Sequence, residues 1–432
     1  MIYLLRAVES YVWPTARSGV ALGEGRSRQP KGGRLGHDLT TCGPTVGEVR
    51  RRIDEAQRRR ALRLGLSSLL GTGAAWLLTL AAIPLAPWWA KGLLAALNGM
   101  AIGALFIVGH DACHGNLLPG RRLNRLSGRL CLLPALHPFA AWVHNHNGLH
   151  HGFTNVKEKD PGFPPLAPAE YHALPAWRRW LYRHGRSWYG LSLLYFTEMW
   201  WKWEVLPAPQ HAPRNRRAFR RDRLLVAAFA LAWIGFLVAA AVRQDDSAVG
   251  LVLVGFVLPQ VVWNWLIAFI ILQQHTHPRI PWYSERDQPA PSYFQAQVRA
   301  TPHVIFPAPL RFLLRHVMEH TAHHVEPAVP LYQLAGAQKS LERAYRRDIV
   351  RVLWTPAGFL RMLRVCRLYD YSCHRWIDYN GTPLSEPLLP PPTIPEPVPA
   401  APAEAVAPRA CATEHHEGTD RPNQSRQQTG PA

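Results

Sequence analysis

The sequence predicts an all-α membrane protein: four transmembrane helices in two hairpins, with a cytosolic helical cap that carries histidine clusters. Three observations lead there. Residues 64–83, 92–109, 224–242 and 248–272 contain no Asp, Glu, Lys or Arg, and each run is close to the ~20 residues that cross a hydrocarbon core of about 30 Å. Arginines crowd before the first run (Arg50, Arg51, Arg52, Arg58, Arg59, Arg60, Arg63) and again between Arg214 and Arg223 before the third. Eleven of the 21 histidines fall in four short pieces outside the apolar runs, two of them close to a run's end.

Composition narrows the possibilities. Of 432 residues, 49 are Lys or Arg and 29 Asp or Glu, a net charge of +20. A basic chain can serve nucleic acid, anionic lipid or an acidic protein. Here the charge flanks apolar runs, which nucleic-acid binding would leave unexplained, so no nucleic-acid partner is predicted. Seventeen tryptophans suit the aromatic belts of a membrane interface. The six cysteines (Cys42, Cys113, Cys131, Cys366, Cys373, Cys411) include no Cys-x-x-Cys pair, against a disulfide framework, a zinc ribbon or an iron–sulfur site.

Taken in order, residues 1–46 are rich in Gly, Arg and Ser without a sustained period, and read as a disordered extension. The opening hexapeptide is too short for a secretory signal. Residues 47–63 carry arginines at helical spacing. The first and second apolar runs are joined by a tight turn with Pro84, Pro87, Trp88, Trp89 and Lys91, and the second runs directly into His110. Residues 116–143 mix basic and apolar side chains. The tryptophans of 157–208 (Trp177, Trp180, Trp188, Trp200, Trp201, Trp203) predict amphipathic surface helices. The third and fourth runs are joined only by 243–247, and Pro259 predicts a kink in the fourth. The membrane domain is placed at 47–380, and the Pro- and Ala-rich segment 381–432 is read as a disordered tail.

The arginine runs give an orientation, because positive residues near span ends favour the cytoplasm. They put both termini inside, in the cytoplasmic membrane, and bring all four histidine pieces out on the same face.

These pieces are His110-Asp-Ala-Cys-His114, the run His144 to His151, His275-Thr-His277, and His320-Thr-Ala-His323-His324. His110 and His114, four apart, share a helical face. Asp111 could accept a hydrogen bond from a ligand's second ring nitrogen. Adjacent helical side chains diverge by about 100°, so the pairs His150-His151 and His323-His324 offer one ligand to each of two neighbouring metals. Eight or more histidines are too many for one zinc. Two irons activating dioxygen match best, although soluble two-iron proteins use Glu and Glu-x-x-His pairs that the spans here lack.

The segments His110-Asp-Ala-Cys-His-Gly, His146-Asn-Gly-Leu-His-His-Gly-Phe-Thr-Asn, Gln274-His-Thr-His-Pro and Glu319-His-Thr-Ala-His-His-Val-Glu-Pro resemble the membrane fatty-acid desaturases, most closely the acyl-lipid, Δ12-type branch. The resemblance covers residues 62–344. It implies a four-span fold, a cytosolic two-iron cap and dioxygen-dependent insertion of a cis double bond into a lipid acyl chain. It makes His110, His114, His146, His150, His151, His320, His323 and His324 iron ligands, with His275 as a ninth and His277 as its alternative. His144 falls outside the pattern.

One departure stands out: three residues separate His146 from His150-His151, where many desaturases have two. The wider spacing also occurs among alkane hydroxylases and carotenoid-modifying oxygenases, so a hydroxylase or ketolase is the alternative. A multi-histidine metal transporter would need ligands within the spans, where none occur. No fused haem domain or Gly-rich dinucleotide fingerprint is evident, so a separate electron donor such as a ferredoxin is expected.

Overall fold

The computed structural model describes residues 43–287 and 289–389. The extensions expected at 1–46 and 381–432 therefore lie outside the described residues, except for 43–46 and 381–389. Among the described residues, four helices are long and apolar enough to cross a bilayer: α1 (Leu62–Leu85), α2 (Trp88–Cys113), α3 (Arg216–Arg243) and α4 (Ala248–His275). Each runs past its uncharged stretch at one end or both, because backbone hydrogen bonding continues beyond the first polar side chain, and long basic side chains can reach back to the interface. The overrun positions the site: α2 carries His110 in its last turn, and α4 ends on His275.

α2 is the inner helix. In its most apolar window 61% of residues are buried by protein, compared with 17% in α1 and α3. Glycines let it approach α4 closely: a Cβ at Gly99 would lie 2.7 Å from the Pro259 carbonyl oxygen, and one at Gly103 2.6 Å from the Leu266 side chain. Small residues at such crossings let helices pack where lipid gives no hydrophobic drive. The outer faces remain apolar and open, with Leu78 and Leu231 each 70% exposed, a surface suited to lipid rather than water. Immediately before Pro259, residues Leu253–Val257 widen into a π turn, the local adjustment that accommodates a residue without an N–H. At the end of α2 away from the histidines, buried Lys91 reaches Asp246, which follows α3, with Nζ 2.8 Å from Oδ2. That contact ties the α1–α2 connection to the α3–α4 connection.

The remaining elements gather around the other end. Arg121–Leu132 packs on α2, and Phe139–Trp142 continues without a break into a π-helical stretch, Val143–His150. Leu191–Leu194 likewise continues as Tyr195–Val205. A short helix, His320–Val325, precedes the longer Leu334–Tyr345. Two small strand pairs are present among the described residues, His303–Ile305 parallel with Arg351–Leu353 and Leu368–Asp370 antiparallel with Arg375–Ile377.

The arginine-rich stretch 47–63 does not form one helix. It breaks into Val46–Arg50 and a 3₁₀ turn, Glu55–Arg58, before α1 begins. The reason is tertiary: Arg50 Nε donates to the Val325 carbonyl at 3.0 Å, and Arg58 pairs with Glu326 at 3.3 Å. Two of these arginines thus hold the segment that follows the third histidine cluster.

Candidate metal centre

α2 and α4 finish side by side and deliver His110 and His275 from below. Val143–His150 supplies the second cluster, and His320–Val325 the third. Eight of the nine predicted ligands fall into two groups: His110, His114, His146 and His323 in one, and His150, His275, His320 and His324 in the other. Within each group the facing atoms all lie within 4.8 Å of one another. The ninth, His151, joins the first group, its Nε2 3.1 Å from Nε2 of both His146 and His323. Each adjacent pair is therefore divided, His150 from His151 and His323 from His324.

Helix type explains how two differently spaced clusters reach the same division. In the α-helical third cluster, positions i+3 and i+4 fall about 60° and 40° either side of position i, so His323 and His324 straddle His320. In the second cluster the pair sits one residue further on, which an α-helix would rotate too far. The π-helical stretch takes up that residue: the His151 N–H bonds the His146 carbonyl five residues back, at 3.1 Å. A turn closed by i→i+5 bonds is wider than an α turn, so His150 and His151 again straddle His146. With the wider spacing the second cluster is divided between the two groups in the same way as the third.

The donor set fits a pair of metal ions. Nε2 of His110 lies 2.7 Å from Nε2 of His146, and Nε2 of His320 lies 2.7 Å from Nε2 of His275. Two nitrogens bound at right angles to one ion, each at about 2.1 Å, would stand about 3.0 Å apart. The buried Nε2 atoms of His114 and His324 have no hydrogen-bond partner, as expected of ring nitrogens that face a cation.

Outer partners fix several rings. His150 Nδ1–H donates to Asp160 Oδ1 at 2.7 Å, and His275 Nδ1–H to Asn155 Oδ1 at 2.9 Å. His324 Nδ1 lies 2.8 Å from Gln297 Oε1. A carboxylate can only accept, so His150 donates to it through Nδ1, and Nε2 is the ring nitrogen left to face the group. Asp160 also accepts from the Asn155 backbone N–H at 2.7 Å, which couples the holders of His150 and His275. Asn155 has a φ of 58°, a left-handed conformation that asparagine tolerates better than most residues. Burial, reinforced by neighbouring imidazoles, holds His114, His146, His151, His320, His323 and His324 well below the usual histidine range. They are neutral at physiological pH, the form that binds metal.

Three sequence expectations need placing. Asp111 does not hold a histidine; its Oδ2 accepts from the Leu331 N–H at 3.2 Å. Next to His110 on an α-helix it points about 100° away, toward the segment after the third cluster. His277 lies in neither group. α4 ends at His275 and Thr276 is extended (φ −127°, ψ 118°), which turns the next side chain outward, where its Nδ1 accepts from the Arg279 N–H. Burial lowers the His277 ring to about 4. His144 is half-buried beside His211 and also lies outside both groups.

A narrow cavity of about 50 Å³ runs from the histidines down between the helices. It touches both groups, through His110 and His146 on one side and His150, His275 and His320 on the other, and its deeper wall is aliphatic and aromatic: Phe106, Ile107, Ile267, Ile270 and Ile271. Sequence reasoning missed the polar residue at its edge, Glu204. Glu204 accepts from Asn145 Nδ2 at 3.0 Å, and burial raises its carboxyl to about 8. It is therefore mainly protonated at neutral pH and places no charge beside the cavity.

Residues 86–356 match the fatty acid desaturase family model. Among similar proteins are the chloroplastic omega-6 fatty acid desaturase of Arabidopsis thaliana, 26% identical over 314 residues, or 71% of this chain and 65% of the relative. The sn-1 oleoyl-lipid 12-desaturase of Synechocystis sp. is 26% identical over 325 residues, 73% of this chain and 86% of the relative. That of Picosynechococcus sp. is 26% identical over 303 residues, 69% and 82% respectively. The chain thus spans just under two thirds of the chloroplastic relative and most of the cyanobacterial ones. The chain belongs to the fatty acid desaturase family.

Proposed function

We propose that the protein is a membrane acyl-lipid desaturase that inserts a cis double bond into the acyl chain of a lipid. The observation that carries this reading is a single apolar cavity in contact with both histidine groups. His110, His114, His146, His151 and His323 would hold one iron, and His150, His275, His320 and His324 a second. Two irons there supply the activation of dioxygen. The chain's own residues do the rest. Phe106, Ile107 and the isoleucines of α4 take the acyl chain out of water and fix which methylene pair lies under the metals. Methylenes are chemically alike, so position alone selects among them. The balance is simple: two hydrogens leave neighbouring carbons, and with dioxygen, two electrons and two protons they end as two molecules of water.

The electrons come from a separate donor such as a ferredoxin, attracted to the basic cytosolic surface. We place the spans as two hairpins with both termini in the cytosol, a reading supported by the flanking arginines and by the Lys91–Asp246 tie between the two connections. The desaturase domain is assigned to 47–380, with extensions on either side, and the cytoplasmic membrane is its location.

Fatty-acid methyl-ester profiling of a host that expresses the gene tests the reaction, with His150→Ala as the control. New unsaturated species that vanish in the control are expected. New hydroxylated or keto products in their place, or an unchanged profile from folded, iron-loaded protein supplied with reductant, would overturn the assignment.

A further inference from the structure

A second cavity, of about 400 Å³, opens on the opposite side of the end of α4 from the acyl cavity. Its polar side is built for an anion. Arg279 and Arg361 both line it, and no Asp or Glu does so among the described residues. The Thr276 hydroxyl is buried there without a hydrogen-bond partner, in a residue only 1% exposed. His277 at the rim accepts the Arg279 N–H on Nδ1, which leaves its Nε2–H free to donate. The ten-residue helix Pro356–Val365 begins at the same wall, with Thr355 as its N-cap, and a helix N-terminus adds partial positive charge.

The other side of the cavity is apolar. Leu353, Phe359, Met362 and Val365 line it, and Phe359 packs on Phe269 of α4 with ring centroids 4.9 Å apart. Leu353 is 74% exposed, and the neighbouring helix Ala308–Leu313 presents Phe312 and Leu313 outward. Exposed apolar side chains next to cations, beside the end of a membrane-length helix, are the features of a surface that meets both headgroups and acyl chains.

We propose that this cavity binds a phosphate ester, held by Arg279, Arg361, Thr276 and the start of helix Pro356–Val365, and that its source is the headgroup of an anionic membrane lipid. This proposal does not depend on the desaturase reading, because it invokes neither the metals nor the acyl cavity.

The test is native mass spectrometry of the full-length protein titrated with phosphatidylglycerol, and separately with diacylglycerol of the same acyl chains. One tightly retained phosphatidylglycerol is expected, with diacylglycerol at least tenfold weaker. Loss of the two charge-assisted contacts in Arg279→Gln/Arg361→Gln should weaken phosphatidylglycerol by about tenfold or more. Arg59→Gln/Arg63→Gln, which removes equal charge elsewhere, should leave it unchanged, and Arg361→Lys should restore part of what Arg361→Gln loses. Unaltered melting temperature and iron content would show that the variants are folded. Inorganic phosphate serves as competitor: no displacement at millimolar concentration supports a lipid source, whereas full displacement assigns the site to soluble phosphate and overturns the lipid source. Equal retention of the two lipids, or wild-type retention by the double variant, overturns the site itself.

Discussion

Asp160→Asn tests the link between the outer hydrogen bonds and the metal centre. The Asp160 carboxylate is fully buried and accepts three hydrogen bonds, from His150 Nδ1–H (2.7 Å), the Gly162 N–H (2.8 Å) and the Asn155 N–H (2.7 Å). An amide of the same shape keeps one acceptor and turns a donor toward another donor. If the amide N faces His150, the ring must either lose its partner or move its proton to Nε2, the atom aimed at the metal. If it faces Asn155, the residue that holds His275 shifts. Both routes damage the group formed by His150, His275, His320 and His324. Outer-shell changes of this kind cost roughly tenfold to a hundredfold in metal affinity, or about 1.4–2.8 kcal/mol. Iron per chain, measured by plasma mass spectrometry after dialysis against a weak chelator, should fall from about two toward one, with the first group still loaded. Two irons retained at wild-type affinity would refute the reasoning that Asp160 sets the ring.

Three further outcomes are expected. Ile270→Trp, which narrows the acyl cavity, should shift products toward shorter chains or lower turnover by at least tenfold without changing iron content; product chromatography and metal analysis separate the two effects. Gly103→Leu should destabilise the protein by about 1–3 kcal/mol through overpacking against Leu266, whereas Gly71→Leu, where nothing lies within 4 Å of the new Cβ, should change thermal unfolding little. The pH dependence of the metal-free protein follows from its buried imidazoles. Their folded values lie well below the ordinary 6.5, so below pH 6.5 the unfolded chain binds protons that the folded chain does not. Stability is therefore fully present above about pH 7 and falls as pH drops below 6.5, by up to about 1.4 kcal/mol per pH unit for each such histidine. Melting temperatures recorded from pH 8 to pH 5 check the sign.

The spans and histidine clusters were legible because each is a local pattern: an uncharged run long enough to cross a bilayer, or imidazoles repeated within one or two turns. Asp160, Asn155 and Gln297 carry no such signature. Each is a single polar residue, Asn155 and Asp160 in irregular chain and Gln297 in the short π-helical turn Gln295–Arg299, and its partner lies in another element or beyond a turn. Asn155 sat inside the quoted second cluster, yet nothing local shows that it reaches across to His275. Asp111 misled because nearness in sequence is not nearness on a helix. His277 misled for a related reason, since the helix that positions His275 ends there. The spacing of the second cluster looked like a chemical departure and is a geometric one, absorbed by the π turn between His146 and His151.

Diffraction from crystals of the iron-loaded protein, with anomalous differences recorded on either side of the iron absorption edge, bears most directly on the two-metal centre. Two peaks are predicted, one among the Nε2 atoms of His110, His146, His151 and His323 together with the ring of His114, the other among His150, His275, His320 and His324. A single peak, or iron held away from these imidazoles, would contradict it.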